Sequence, residues 1–110
     1  MVTTATDITE IVRSVVDDLA DAAPVQQAIL FGSYASGDAR KWSDIDLAII
    51  SPAFSNVPMW RRQELLAELL PEADVRLSPL GYTPVELANP TLFLREIIRT
   101  GKVVYTSESS

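Results

Sequence analysis

Apolar side chains recur along the chain at two periods, and the alternation between them sets out the elements. From Asp7, residues Ile8, Ile11, Val12, Val15, Val16 and Leu19 repeat at steps of three and four, the spacing that lays one apolar stripe on a helix. Asp7 with Glu10 suits its start, Asp17, Asp18 and Asp21 fall largely on its wet side, and Pro24 ends it. Val25 to Phe31 and Ser43 to Ile50 are short apolar runs of strand length. Between them, Tyr34 to Ser36 leaves room for a turn or two of helix before Gly37-Asp38 breaks it, and Ala39 to Trp42 forms a connecting loop.

A second helix is expected after Ser51-Pro52, capped by Ser55 or Asn56 with Pro58 in its first turn, and stopped by Pro71. Trp60, Leu65, Leu66, Leu69 and Leu70 supply its apolar face, leaving Arg61 and Arg62 in water. Ala73 to Leu80 reads as a third strand. Thr83-Pro84-Val85-Glu86 is a capping box with proline at the first helical position. Asn89-Pro90 opens another helix, with Leu92, Phe93, Ile97 and Ile98 turned inward and Gly101 as its stop. Lys102 to Thr106 is a short strand at or beside a sheet edge. Residues 1–6 and 107–110 are polar and read as loose. Together these elements predict one domain over residues 1–110: a two-layer α+β fold with a mixed sheet of three main strands and a short one, helices packed on one face.

Composition narrows the chemistry. Cysteine and histidine are both absent, which excludes disulfides, thiolate catalysis, zinc-thiolate sites and serine-histidine hydrolysis. Catalysis by this chain has to rest on carboxylates, a metal and the substrate's own groups. Nine basic against fifteen acidic residues leave a net charge of −6. Nucleic acid is bound largely through lysine and arginine, so direct DNA or RNA binding is not expected. The apolar runs are too short for a membrane span and the N-terminus lacks a signal-peptide pattern; the chain reads as cytoplasmic.

Two features outside the helical stripes carry chemistry. Leu30-Phe31-Gly32-Ser33 is an apolar run feeding a Gly-Ser pair, and Ser43-Asp44-Ile45-Asp46-Leu47 places Asp-x-Asp in the next apolar run. Side chains two apart on a strand share a face, so Asp44 and Asp46 project together. Adjacent carboxylates repel, and a hard divalent cation such as Mg²⁺ suits the space between them. Gly32 permits a sharp turn and close approach of a ligand to the backbone, and a helix starting near Ser33 would offer N–H groups to an anion. Phosphate at a helix start facing metal on carboxylates is a layout for phosphoryl-type transfer. On the third strand Asp74 shares a face with Arg76; it is expected to complete the carboxylate cluster, with Arg76 paired to it or reaching substrate phosphate. Arg40 and Lys41 could reach a triphosphate, and Trp42 could stack on a base, against the plainer readings of a solvated loop and a core tryptophan.

The pattern Phe31-Gly32-Ser33, Gly37 and Ser43-Asp44-Ile45-Asp46-Leu47 resembles the signature of the polymerase beta-like nucleotidyltransferase superfamily, and most of all its minimal nucleotidyltransferase (MNT) proteins, often found beside HEPN-type partners. The tail from Phe93 to Tyr105 resembles these small proteins too, so the similarity spans Ala28 to Tyr105. One departure is Ser36, where members often carry a basic residue before the second glycine; phosphate binding would then lean on Arg40 or Lys41, or be weaker.

The resemblance implies transfer of AMP from ATP, or of another nucleotide from its triphosphate, with two Mg²⁺ ions (Mn²⁺ as an alternative) held by Asp44, Asp46 and Asp74. Gly32 and Ser33 would hold the β- and γ-phosphates. It further implies an antitoxin that attaches AMP to a tyrosine of a HEPN-type toxin, in a hetero- or homo-oligomer. Beside larger relatives, the resemblance implies the catalytic half alone, without their acceptor-gripping domain. Two rivals are an antitoxin that only sequesters its partner, and a transferase acting on a small molecule such as an aminoglycoside.

Overall fold

A computed structural model describes residues 5–39 and 43–107, the side chains of 5–7 excepted. The loop residues Arg40, Lys41 and Trp42 lie outside the described residues, as do nearly all of the two tails. Where they are described, the tails are tied: α1 starts at Ala5, and the Ser107 N–H donates to Gln26 O (2.9 Å).

The elements run α1 (Ala5–Ala20), β1 (Gln27–Phe31), α2 (Ser33–Ser36), β2 (Ile45–Ile50), a single 3-10 turn at Pro52–Phe54, α3 (Met59–Leu69), β3 (Leu77–Tyr82), α4 (Pro84–Ala88), α5 (Leu92–Thr100) and β4 (Lys102–Thr106). The four strands form one sheet in the order β3-β2-β1-β4. β1 lies antiparallel to β2 and to β4, while β2 and β3 are parallel. The expected mixed α+β sheet is therefore present, with β4 as a full edge strand.

Helices cover both faces of this sheet, not one as the apolar pattern suggested. Alternation along each strand explains it. Ala28, Leu30, Ile45, Leu47 and Ile49 point to one side and pack with Val12, Val15, Val16 and Leu19 of α1 and Leu66 of α3. Ile29, Ala48 and Ile50 point to the other and pack with Tyr82, Leu94 and Ile97. β2 is buried on both faces from Leu47 to Ile50, so it reads as an unbroken apolar run instead of an alternating one. Each fully buried Ile or Leu here contributes about 1.5–3 kcal/mol.

Helix faces are where the periodic reading fails most. On α5 the buried residues are Leu94 and Ile97, while Leu92, Phe93 and Ile98 are exposed. The helix is capped by Thr91, whose Oγ1 accepts from Leu94 N–H (3.2 Å), and ends at Gly101 as expected. Gly101 has no room for a side chain against Ile97 O, Leu30 O and Ile29 Cγ2. On α3, which starts from Pro58, Trp60 is 67% exposed, whereas Arg62 is only 7% exposed. The Arg62 guanidinium donates to Val57 O (2.7 Å), Gly81 O (3.0 Å) and both carboxylate oxygens of Glu86 (2.7 and 3.2 Å). A buried arginine is tolerated when its donors are matched in this way. Glu86 also closes the expected capping box of α4 on Thr83, so one carboxylate caps α4 and pins α3 to it.

Candidate active site

β1 delivers the chain to a sharp turn. Gly32 has φ +72 and caps α2, and Gly37 ends that helix with φ +85; both values lie in the region where a Cβ is unfavourable. α2 is a single turn of four residues, held by Ala35 and Ser36 N–H donating to Gly32 O (3.1 Å each) and by Gly37 N–H to Ser33 O. So short a helix has little macrodipole. What the turn offers an anion is chiefly the N–H groups at its start.

Asp46 lies on β2 directly across from Phe31, the residue before that turn. Its carboxylate is packed against Gly32 so closely that a Cβ there would fall on Oδ2. Asp44 stands just ahead of β2, exposed, while Asp46 is half-buried. Burial, and then the negative charge of Asp44, push the Asp46 carboxyl above its ordinary value. The two carboxylates therefore lie close enough to repel, although Asp44 stands outside the strand on which the expected alternation would place it. The chemistry of this donor pair fits a divalent cation, which would offset both terms that penalise the charged form. Asp46 belongs to the face on which α5 lies, since Ala48 and Ile50 follow it there at alternate positions.

Asp74 takes a different setting from the one expected. It precedes β3, which begins at Leu77 and not at Ala73, and lies in a turn closed by Leu77 N–H donating to Asp74 O (2.9 Å). Its Oδ1 accepts from Arg76 N–H (2.8 Å) and Nε (3.0 Å), and Oδ2 accepts from Nη2 (3.0 Å). These bonds hold the Asp74 carboxyl below its usual range. Arg76 also donates to the Tyr34 hydroxyl of α2 (3.4 Å), and Arg76 O accepts from Ile45 N–H (2.8 Å) at the start of the β2–β3 ladder. The residue paired with Asp46 on β3 is Ser78. Among the described residues, no three carboxylates gather into a group able to hold a metal. The expected three-acid cluster is present as a pair, Asp44 and Asp46, with Asp74 engaged by Arg76. An Asx-type turn with a side chain-to-backbone bond explains why the apolar pattern placed the strand too early.

Sequence reasoning passed over Phe93, which it placed in the core. The ring stands edge-on to Phe31, centroids 6.3 Å apart and planes at 87°, and is 57% exposed.

No helix among the described residues is long and apolar enough to cross a membrane. A search of curated protein sequences finds no match. Among solved structures, the chain is similar to a protein from Sulfolobus solfataricus assigned as a nucleotidyltransferase, at 15% identity and a TM-score of 0.71, covering 92% of this chain and 82% of that one. It is also similar to a chain of a toxin-antitoxin structure with AMP-PNP (24% identity, TM-score 0.56, 91% and 74% covered). A third is from a complex of tri-AMPylated Shewanella oneidensis HEPN toxin with MNT antitoxin (22% identity, TM-score 0.53, 91% and 73% covered). At these identities the likeness is one of fold. The family profile reaches further, because the polymerase beta nucleotidyltransferase pattern matches residues 14–110, from the second half of α1 through β4. With Gly32-Ser33 at the turn and Asp44 and Asp46 beside it, the chain belongs to the polymerase beta nucleotidyltransferase family.

Proposed function

We propose that this protein is an adenylyltransferase that moves AMP from ATP onto a hydroxyl of a protein partner, and that the partner is a HEPN-type toxin. The observation that carries the reading is the Asp44–Asp46 pair lying against the Gly32-Ser33 turn. The toxin-antitoxin structures of the same fold, one with AMP-PNP and one with an AMPylated HEPN toxin, support the choice of nucleotide and acceptor.

In this reading Asp44 and Asp46 hold Mg²⁺, and the Gly32 and Ser33 N–H groups, with the Ser33 hydroxyl, hold the β- and γ-phosphates. Arg40 and Lys41 add charge to that grip. A cation held by Asp44 and Asp46 would supply charge neutralisation at the α-phosphorus as the transfer proceeds. The acceptor oxygen bonds to the α-phosphorus, the bridge to the β-phosphate breaks, and pyrophosphate leaves with the electron pair. Asp74 assists removal of the acceptor proton once its pair with Arg76 opens.

Labelled ATP, Mg²⁺ and the protein encoded beside this chain test the reading directly. The expected result is label on a tyrosine of the partner, lost with Asp44→Asn. Neutralisation of the partner by an Asp44→Asn chain with no label transferred would favour simple sequestration instead, and label on a small hydroxylated cation in place of the partner would point to the small-molecule transferase.

A further inference from the structure

We infer that Phe93 is the platform on which the nucleobase of the donor nucleotide stacks; this rests on the nucleotidyl-transfer reading above. Three observations converge on it. Phe31 is the cross-strand partner of Asp46, and side chains so paired have Cβ atoms about 4.5–5.5 Å apart. The Phe31 ring therefore lies beside the metal-site carboxylate and on its face of the sheet, among Ile29, Ala48 and Ile50. Next along the same surface stands Phe93, its centroid 6.3 Å from that of Phe31. Phe31 thus links Asp46, its cross-strand partner, to Phe93, its ring partner.

The edge contact matters as much as the distance. At 87° to Phe31, Phe93 is steadied by an aromatic pair while more than half of it stays in water. An exposed phenylalanine on a helix that is anchored by Leu94 and Ile97 instead contributes little to folding. The chain is acidic overall, and stacking on a π-face needs no positive charge. Stacking is also tolerant of base identity, so Phe93 gives this site grip on a nucleobase with little choice between adenine and guanine.

The test compares ATP with inorganic tripolyphosphate, which has the phosphates and lacks the base, titrated in Mg²⁺ into the wild type, Phe93→Ala and Phe93→Trp. Base stacking on an aromatic side chain is worth a factor of about 5 to 150 in affinity. Phe93→Ala is expected to weaken ATP by that factor, to leave tripolyphosphate unchanged, and to weaken GTP about as much as ATP; Phe93→Trp restores both nucleotides. Equal binding of ATP by wild type and Phe93→Ala overturns the inference and leaves the transfer reading standing, as does a variant that loses only its partner protein. Equal weakening of ATP and tripolyphosphate also overturns it, since a structural role would do that. A wild type that binds neither ligand overturns the transfer reading and this inference with it.

Discussion

Gly32 and Asp46 are packed so that the space of a Cβ on the glycine is taken by the Oδ2 of the aspartate. The glycine thus answers two demands at once, a positive φ and a carboxylate pressed to the backbone. Gly32→Ala would meet both penalties. We expect it to destabilise the fold by about 1–3 kcal/mol and to push Asp46 off its position, with loss of Mg²⁺-dependent nucleotide binding. Denaturant unfolding and ATP titration on the same sample check it. A variant with wild-type stability and binding would mean that the turn relaxes without moving the carboxylate.

Asp46 should cost the apo protein stability that it returns on metal binding. Its carboxyl is raised by burial and by Asp44, so its contribution to stability is fully present below the unfolded value near 3.8 and is lost as pH rises through the folded value. Above that window, burial of Asp46 and repulsion from Asp44 weigh against the fold. Asp46→Asn is expected to raise the melting temperature of the metal-free protein, by about 4 °C for each kcal/mol of burial cost and repulsion relieved. Added Mg²⁺ with ATP should raise the wild type and leave the variant where it was, since only a ligand that binds the folded state stabilises it. Thermal scans at pH 7 with and without chelator decide this.

How far the sequence carried differs between the two halves of the site. The Gly-Ser turn and the closeness of Asp44 to Asp46 were legible because each depends on local chain rules: a glycine at positive φ, and two acids one residue apart. Asp74 was legible as an acid of interest and misplaced as a strand residue, because its bonds to the Arg76 N–H and guanidinium make a turn that hydrophobic period does not register. Arg62 and Phe93 exchanged places with expectation for one reason. A helix stripe says which residues lie on a side, but what covers that side is tertiary. Arg62 is buried because Gly81 O and Glu86 lie 19 and 24 residues away in sequence, and Phe93 is exposed because α5 leans on Leu94 and Ile97.

The pair Asp74–Arg76 can be separated into structure and chemistry. If the two residues only brace the turn before β3, Asp74→Asn should slow transfer no more than Arg76→Gln, which removes the ion pair and the bond to Tyr34 as well. The proposed role of Asp74 at the acceptor predicts unequal effects. Asp74→Asn should slow transfer about tenfold or more beyond Arg76→Gln, with ATP affinity similar in both. Single-turnover labelling of the partner at saturating ATP gives the comparison, and equal rates would assign Asp74 to the turn alone.

Arg62 and Glu86 set an acid limit on stability that is independent of the site. The Arg62 side chain is nearly sealed while Glu86 is about two-fifths exposed, and the pair joins α3 to the start of α4. The guanidinium holds the Glu86 carboxyl below its usual 4.5, against the opposing pull of burial. A depressed carboxyl contributes stability that is present above its unfolded value and lost as pH falls through the folded one. Wild-type stability should therefore hold level with respect to this group down to about pH 4.5 and decline below it. Glu86→Gln should be less stable at pH 7 by about 1–2 kcal/mol, a loss kept modest by the solvent around Glu86, and the gap to wild type should narrow as pH falls below 4.5. Asp74, also depressed, is common to both proteins and cancels in the difference. Urea midpoints measured for the two chains from pH 7 to 3 test this, and a constant gap across that range would show that the carboxyl charge of Glu86 does not hold Arg62 in place.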